Sequence, residues 1–404
     1  MLFKISWRNI WRNPLRSLVV MGSITVGTWA IITLLSFSSG MVTGYVNNAI
    51  RMETSHLQIH HPVFVDEDQE VTAVLPEAEA RLAAIQQREV VEHASLRTIV
   101  NGMLVAPKGT RGVVIRGVEA ASEAQLTEID QQVAAGNYFG KGKNQVLMGR
   151  DLAEKLGLKL RKKIVLQFQR LDGEITAGAF RIVGLIDSGN KRRDEGSVFV
   201  RRGDLNRLLG QPDAAHEIAV YLKDANEVDP VVADLRTAYP DAHVEGYWEL
   251  SPDIRLYETQ LGTSFTIFVI IFMLALIFGI INTMLMAVLE RTRELGVLMS
   301  VGMNKFRVFA MIVLETLLLG VLSATVGMSL GWLSVQRLHA VGIDLSSFSQ
   351  GLEQFGMSTI IRPTLDSGLY VQLALSVFIT TVLASLYPAF KAIRLRPVEA
   401  VRKV

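Results

Sequence analysis

Two long apolar runs, Gly262–Leu289 and Val308–Val335, flank one short charged segment, ERTRELGVLMSVGM at 290–303. A run of more than about 18 apolar residues reads as a membrane-spanning helix, because in hydrocarbon the backbone must satisfy its own hydrogen bonds. The segment between the runs is then a short connection at a membrane face. Glu290, Arg291, Arg293 and Glu294 stand in its first turn, and Leu295, Val297, Leu298, Met299 and Val301 follow. Gly296 and Gly302 punctuate it. That mix suits a short helix lying across the membrane face, with an apolar side free to dock on a soluble partner. An ordinary charged hairpin between two spans fits the composition equally well.

Two further spans complete the set. Residues 1–17, MLFKISWRNIWRNPLRS, place Lys4, Arg8, Arg12 and Arg16 at helical spacing with no acid among them. Phe3, Trp7, Ile10 and Trp11 fall largely on the other side, the pattern of a basic amphipathic helix at headgroup level. Pro14 is expected to kink its join to the next helix. Leu18–Leu35 is apolar, exceeds the roughly 7–15 residues of a signal-peptide core, and its helical pattern continues through 41–50. It reads as a retained first span rather than a cleaved leader. Gly368–Tyr387 gives the fourth.

Between spans one and two the long apolar runs disappear. His56–His61 alternates like a strand, and Val113–Val118, Lys163–Phe168, Phe180–Ile186 and Ser197–Val200 also read as strands. Pro76–Gln87, Arg150–Leu156 and Val228–Tyr239 have helical periodicity. The 404-residue chain is 50% hydrophobic and 20% charged, too apolar for a soluble protein and too charged for a purely intramembrane one. The fold class is therefore a membrane protein of four transmembrane α-helices, with a large α+β extracytoplasmic domain between helices 1 and 2. The expected boundaries are an amphipathic helix at 1–17, spans at 18–45, 261–289, 305–335 and 368–390, the domain at 46–260, a coupling helix at 290–304, an outer loop at 336–367 and a tail at 391–404.

Charge sets the orientation. The N-terminal arm, the 290–307 connection and the tail (Lys391, Arg394, Arg396, Arg402 and Lys403 against Glu399) carry excess Lys and Arg. Four spans put these three segments on one side, which the positive-inside rule makes cytoplasmic. The 46–260 segment holds 26 Lys and Arg against 32 Asp and Glu, in agreement with an outer location. A net charge of +2 gives no argument for nucleic acid as a partner. Absence of cysteine excludes a disulfide framework, thiol catalysis and zinc–thiolate sites.

The segment 290–303, with the aromatic-rich start that follows it (Lys305, Phe306, Arg307, Phe309), resembles the coupling-helix motif of a family of ABC-transporter permeases. That family groups the macrolide exporter MacB, the lipoprotein-releasing LolC/LolE pair and the division protein FtsX. QVLMGRDLAEKLGLKLRKKIVLQF at 145–168 is similar to part of the MacB/LolC-type outer domain, with bases where the family has a glycine and an acid near Arg161–Lys163. The tail YPAFKAIRLRPVEAVRK resembles the family's C-terminus, with Val401 in place of leucine. The resemblance implies an outer domain of two lobes, one built from both ends of the segment and a β-rich one inserted at roughly 106–205. It implies that Glu290, Arg291, Arg293, Glu294, Leu295, Leu298 and Met299 couple to an ATPase. It also places an outer cleft at the ends of spans one and two, on Met41, Tyr45, Leu261, Phe265 and Phe268.

Other constellations carry less. Glu315 lies about two and a half turns into span three; a proton-coupling role and an ion pair with Arg291 or Arg307 are the two readings, and no second intramembrane acid or histidine completes a relay. Ser323, Gly327 and Gly331, with Gly320 and Ala324 beside them, form a small-residue face, repeated by Gly40 and Gly44 in span one. Such faces serve packing within a chain or a dimer seam. His56 and His60 share a strand face with Gln58 but lack a carboxylate or cysteine partner at ligand spacing, so no metal is expected. Gly136–Lys141 (GNYFGK) has the wrong spacing for a phosphate loop and no Ser or Thr after its lysine.

The expected function is the permease subunit of an ATP-driven transporter that extracts a lipoprotein or similar amphiphile from the bacterial inner membrane toward a periplasmic carrier. Burial of each acyl CH₂ contributes ~0.8 kcal/mol, so freeing a multi-acyl anchor costs on the order of tens of kcal/mol without a receiving site. The chain itself is expected to be non-catalytic, with no cofactor of its own; ATP and Mg belong to the partner. Expected partners are a cytoplasmic ABC ATPase dimer, a second permease copy or sister chain, the cargo, a periplasmic carrier or adaptor, and membrane lipid. MacB-like drug or peptide efflux and an FtsX-like scaffold that regulates a cell-wall hydrolase are the alternatives. The scaffold reading is disfavoured by the size of 46–260, and no nucleophile–base or metal constellation supports an enzyme.

Overall fold

The computed structural model describes residues 2–66, 70–348, 351–352, 357 and 359–394. The chain divides into two units: residues 1–42, 258–344 and 360–404 in one, 43–257 and 345–359 in the other.

The first unit is helical. Helix α1 (Leu2–Arg12) ends before Asn13, and Pro14 opens α2 (Pro14–Ala49). Proline suits the first position of a helix, where its missing N–H would have had no partner. The long helices α3 (Pro252–Glu290), α5 (Lys305–Val341) and α6 (Ser367–Ile393) follow the same composition, with the short α4 (Thr292–Ser300) between α3 and α5. Four helices are long and apolar enough to cross a membrane, on α2, α3, α5 and α6. Each extends past the apolar run that marks it in the sequence; α3 begins nine residues before the expected 261.

The small-residue face of α5 is used inside the chain. A Cβ built on Gly327 would stand 2.8 Å from the Thr25 carbonyl oxygen, and one on Gly331 would stand 2.8 Å from Ile32. Thr25 Oγ1 donates to the Ser323 carbonyl at 3.2 Å, and Trp29 Nε1 to Ser334 Oγ at 2.9 Å. Gly320 receives Thr381 of α6 in the same way. Close approach of α5 to both neighbours thus requires residues without side chains. Strands β11 (Ile343–Asp344) and β12 (Ile360–Ile361) pair antiparallel near the start of α6.

The second unit carries one ten-stranded sheet with strand order β10-β1-β9-β2-β3-β8-β5-β7-β4, and β6 bridges β2 and β7. The strands are β1 Leu57–His60, β2 Val91–Ala106, β3 Gly109–Val118, β4 Val133–Gly136, β5 Gln145–Gly149, β6 Lys163–Gln169, β7 Ile175–Ile186, β8 Ser197–Arg201, β9 Glu217–Leu222 and β10 His243–Gly246. Two main hydrophobic cores lie along it. One is built from both ends of the segment, with Leu57, Ile85, Leu96, Ile218 and Leu235; the other from the inserted strands, with Leu104, Ile115, Val146, Phe180 and Val200. Strand β2 serves both. Its first half pairs with β9 and its second with β6, while β3 runs beside it from Arg97 to Ala106.

Where β2 passes between the cores it carries Arg97, fully buried and held at 2.7–3.0 Å by Glu123 and Glu217. Burial opposes the guanidinium charge, but the two carboxylates outweigh it and raise its pKa. The histidines are structural. His60 bonds Gln58 at 3.0 Å and stacks on Phe64, and His56 stacks on Tyr221 and accepts the Leu222 amide at 2.9 Å. Burial lowers the His56 pKa to about 4.

Candidate coupling surface

Helix α4 is bounded by two local signals. Gly302 adopts φ +102°, which only glycine reaches without strain, and Met303 N–H closes on the Leu298 carbonyl at 3.0 Å. Asn304 then caps α5 by accepting the Phe306 amide at 3.1 Å. The helix is therefore nine residues long, shorter than the expected 290–304.

Its inner side is locked to the bundle. Leu295 is buried and Met299 packs on the same core, with Val288, Val308 and Ile312 around them. Arg291, at the N-terminal boundary, donates to Glu315 of α5 at 2.9 Å and to the Asn9 carbonyl of α1 at 3.1 Å. Glu315 is buried, so this ion pair satisfies a carboxylate that would otherwise be very costly in apolar surroundings. Arg12 of α1 pairs with Glu294 at the surface. Ser6 Oγ donates to the Met311 carbonyl at 3.2 Å and fastens α1 to α5. One helix boundary thus ties α1, α4 and α5 together.

The outer side of α4 is open. Arg293, Val297 and Val301 follow one another at four-residue spacing, and all three are exposed, Val301 to 83%. Leu298 and Phe306 are exposed beside them. Among the seven expected coupling residues, Arg293, Glu294 and Leu298 thus face outward, while Arg291, Leu295 and Met299 hold the helix in place. Glu290 is exposed at the end of α3. Val297 and Val301 belong to the outward face although the sequence reading did not select them. Their spacing from Arg293 was the available signal.

The residues expected at an outer cleft are not equivalent. Phe265 is buried in the helical core, Phe268 is exposed and Met41 is half-buried. Tyr45 packs edge-on against Tyr257 with ring centroids 4.9 Å apart. The side chain of Leu261 and the tail beyond Arg394 lie outside the described residues.

A family model described as MacB-like periplasmic core domain matches residues 17–238, and one described as FtsX-like permease C-terminal matches 266–397. The chain belongs to the MacB/FtsX-like family of ABC-transporter permeases. This permease is similar to the lipoprotein-releasing system transmembrane protein LolC of Haemophilus influenzae, 22% identical over 392 residues, which are 94% of this chain and 91% of that one. It is also similar to the macrolide export ATP-binding/permease protein MacB of Nitrobacter winogradskyi, 24% identical over 405 residues, where it spans 58% of the relative's length. The solved periplasmic region of MacB from Actinobacillus actinomycetemcomitans aligns with 52% of the permease at 10% identity and a TM-score of 0.37. The relatives are transporter proteins, and this chain is the multi-pass permease component of a transporter.

Proposed function

We propose that this permease works by mechanotransmission in the inner membrane, with a cytoplasmic ATPase gripping α4 and lipoproteins or a similar amphiphile as cargo. The observation that carries the ATPase part is the two-sided α4. Arg293, Val297, Leu298 and Val301 offer a small amphipathic face to a soluble partner, while Arg291, Leu295 and Met299 transmit any push directly into α3 and α5. ATP and Mg act on the partner chain. Both termini are cytoplasmic in this reading, as the basic flanks require. A permease dimer, of two copies or two sister chains, frames the path.

Similarity to the LolC relatives supports lipoprotein release, and similarity to the MacB relative supports drug or peptide efflux as the second reading. The experiment is co-purification from native membranes. Val297→Asp with Val301→Asp should abolish ATPase recovery while the permease stays in the membrane, and the wild type should carry a lipoprotein identifiable by mass spectrometry. Full ATPase recovery by the double variant would refute the coupling role. A captured periplasmic adaptor without lipoprotein would favour efflux.

A further inference from the structure

The helical unit contains a cavity of about 230 Å³ between α1, the end of α3, α4 and the start of α5. Three arginines reach it, Arg8 and Arg12 from α1 and Arg291 from the α3–α4 boundary, against two carboxylates, Glu294 and Glu315. Arg12 and Arg291 are each already paired with one of those acids. Arg8 has no ion-pair or hydrogen-bond partner among the described residues and leaves the cavity with one uncompensated positive charge. The rest of the lining is largely apolar, including Ile5 and Met303. The cavity opens beside an amphipathic helix whose Phe3, Trp7 and Trp11 are exposed, and Trp7 and Trp11 meet edge-on at 6.1 Å. Exposed tryptophans on a basic amphipathic helix mark headgroup depth in a bilayer.

We propose that this cavity binds the phosphate of an anionic membrane phospholipid, held by Arg8, with the glycerol end against the apolar wall. A free guanidinium calls for an anion, and guanidinium–phosphate hydrogen bonds are among the strong, charge-assisted kind. The apolar wall and the headgroup depth select a lipid over a free ion, since inorganic phosphate gains nothing from Ile5 and Met303. The bound lipid joins α1 to the base of α4, so the membrane itself becomes part of the scaffold that positions α4. The site does not require a motor on α4. Its failure is therefore separable from failure of the coupling reading.

The test is native mass spectrometry of the full chain in mild detergent, titrated with dioctanoyl phosphatidylglycerol. One molecule per chain should bind. Arg8→Ala should weaken it about tenfold, the scale of one lost hydrogen bond to a charged group, and Arg8→Lys should recover part of the loss. Dioctanoylglycerol, which lacks the phosphate, should bind at least tenfold more weakly, and millimolar inorganic phosphate should not compete. A matched thermal melt of the variants controls for folding, and Arg8 is exposed on α1. Equal binding by Arg8→Ala, equal binding of dioctanoylglycerol, or displacement by inorganic phosphate would each overturn the proposal.

Discussion

Glu315 and Arg291 show how the bundle accommodates charge. Neither is tolerable alone at this depth, and together they bridge 24 residues of chain at 2.9 Å. Removing one partner leaves the other buried and unpaired, whereas replacing both with apolar residues removes the problem. Glu315→Ala should therefore destabilise the protein by about 3 kcal/mol, and the double change Arg291→Met with Glu315→Leu should cost clearly less. Thermal unfolding in detergent measures both. A second residue acts through a proton. His56 accepts the Leu222 amide at Nδ1, which is possible only while that nitrogen is unprotonated. Its folded pKa, about 4, lies below the ordinary 6.5, so the unfolded chain takes up the proton first as pH falls. The stability that His56 supplies is intact above about pH 6.5 and drains away toward pH 4. Amide-exchange protection at Leu222 should fall across that window, and His56→Gln should flatten the profile.

At the scale of elements, the fit of α5 against α2 is set by absence. Gly327→Val would drive a methyl-bearing carbon into the Thr25 carbonyl, so the helices must part, at a cost of about 1–3 kcal/mol. Gly44 belongs to the same sequence pattern, yet nothing stands within 4 Å of a Cβ built there. Gly44→Val should leave the melting temperature unchanged, and the contrast between the two variants is the measurement. The sequence alone offered a small-residue stripe and two uses for it. Only the neighbouring helix decides between packing within the chain and packing between chains. Helix α4 has the same character. Leu295, Val297, Leu298 and Met299 are all apolar, so composition places apolar residues on both sides of a nine-residue helix and leaves its rotation open. The Arg12–Glu294 pair, 282 positions apart in sequence, was beyond any periodicity argument.

For the whole molecule, the four spans were legible because each exceeds the length that any buried soluble helix commonly needs. Strand β6 was legible from its β-branched and aromatic residues, Ile164, Val165 and Phe168, and its burial alternates residue by residue. Strand β2 was not. Residues 94–100 are buried without a break, and they include Ser95, Arg97 and Thr98, so neither alternation nor hydrophobicity marks them. Orientation across the bilayer is tested most directly by chemistry that the chain lacks. With no native cysteine, Ser347→Cys and Ser300→Cys each supply a single thiol at an exposed position. A membrane-impermeant maleimide should label the first from the outer side only and the second from the cytoplasmic side only.

Strand β2 also governs how the sheet unit comes apart. One sixteen-residue strand runs through both hydrophobic cores, giving Val91, Ala94 and Leu96 to one and Val100 and Leu104 to the other, with the buried Arg97 cluster pinned between them. Neither core can shed that strand while the other keeps it intact. A tug applied to one lobe is felt at the far one along a single taut peptide, as along a shared tie-beam, and heating should undo the pair in one step instead of two.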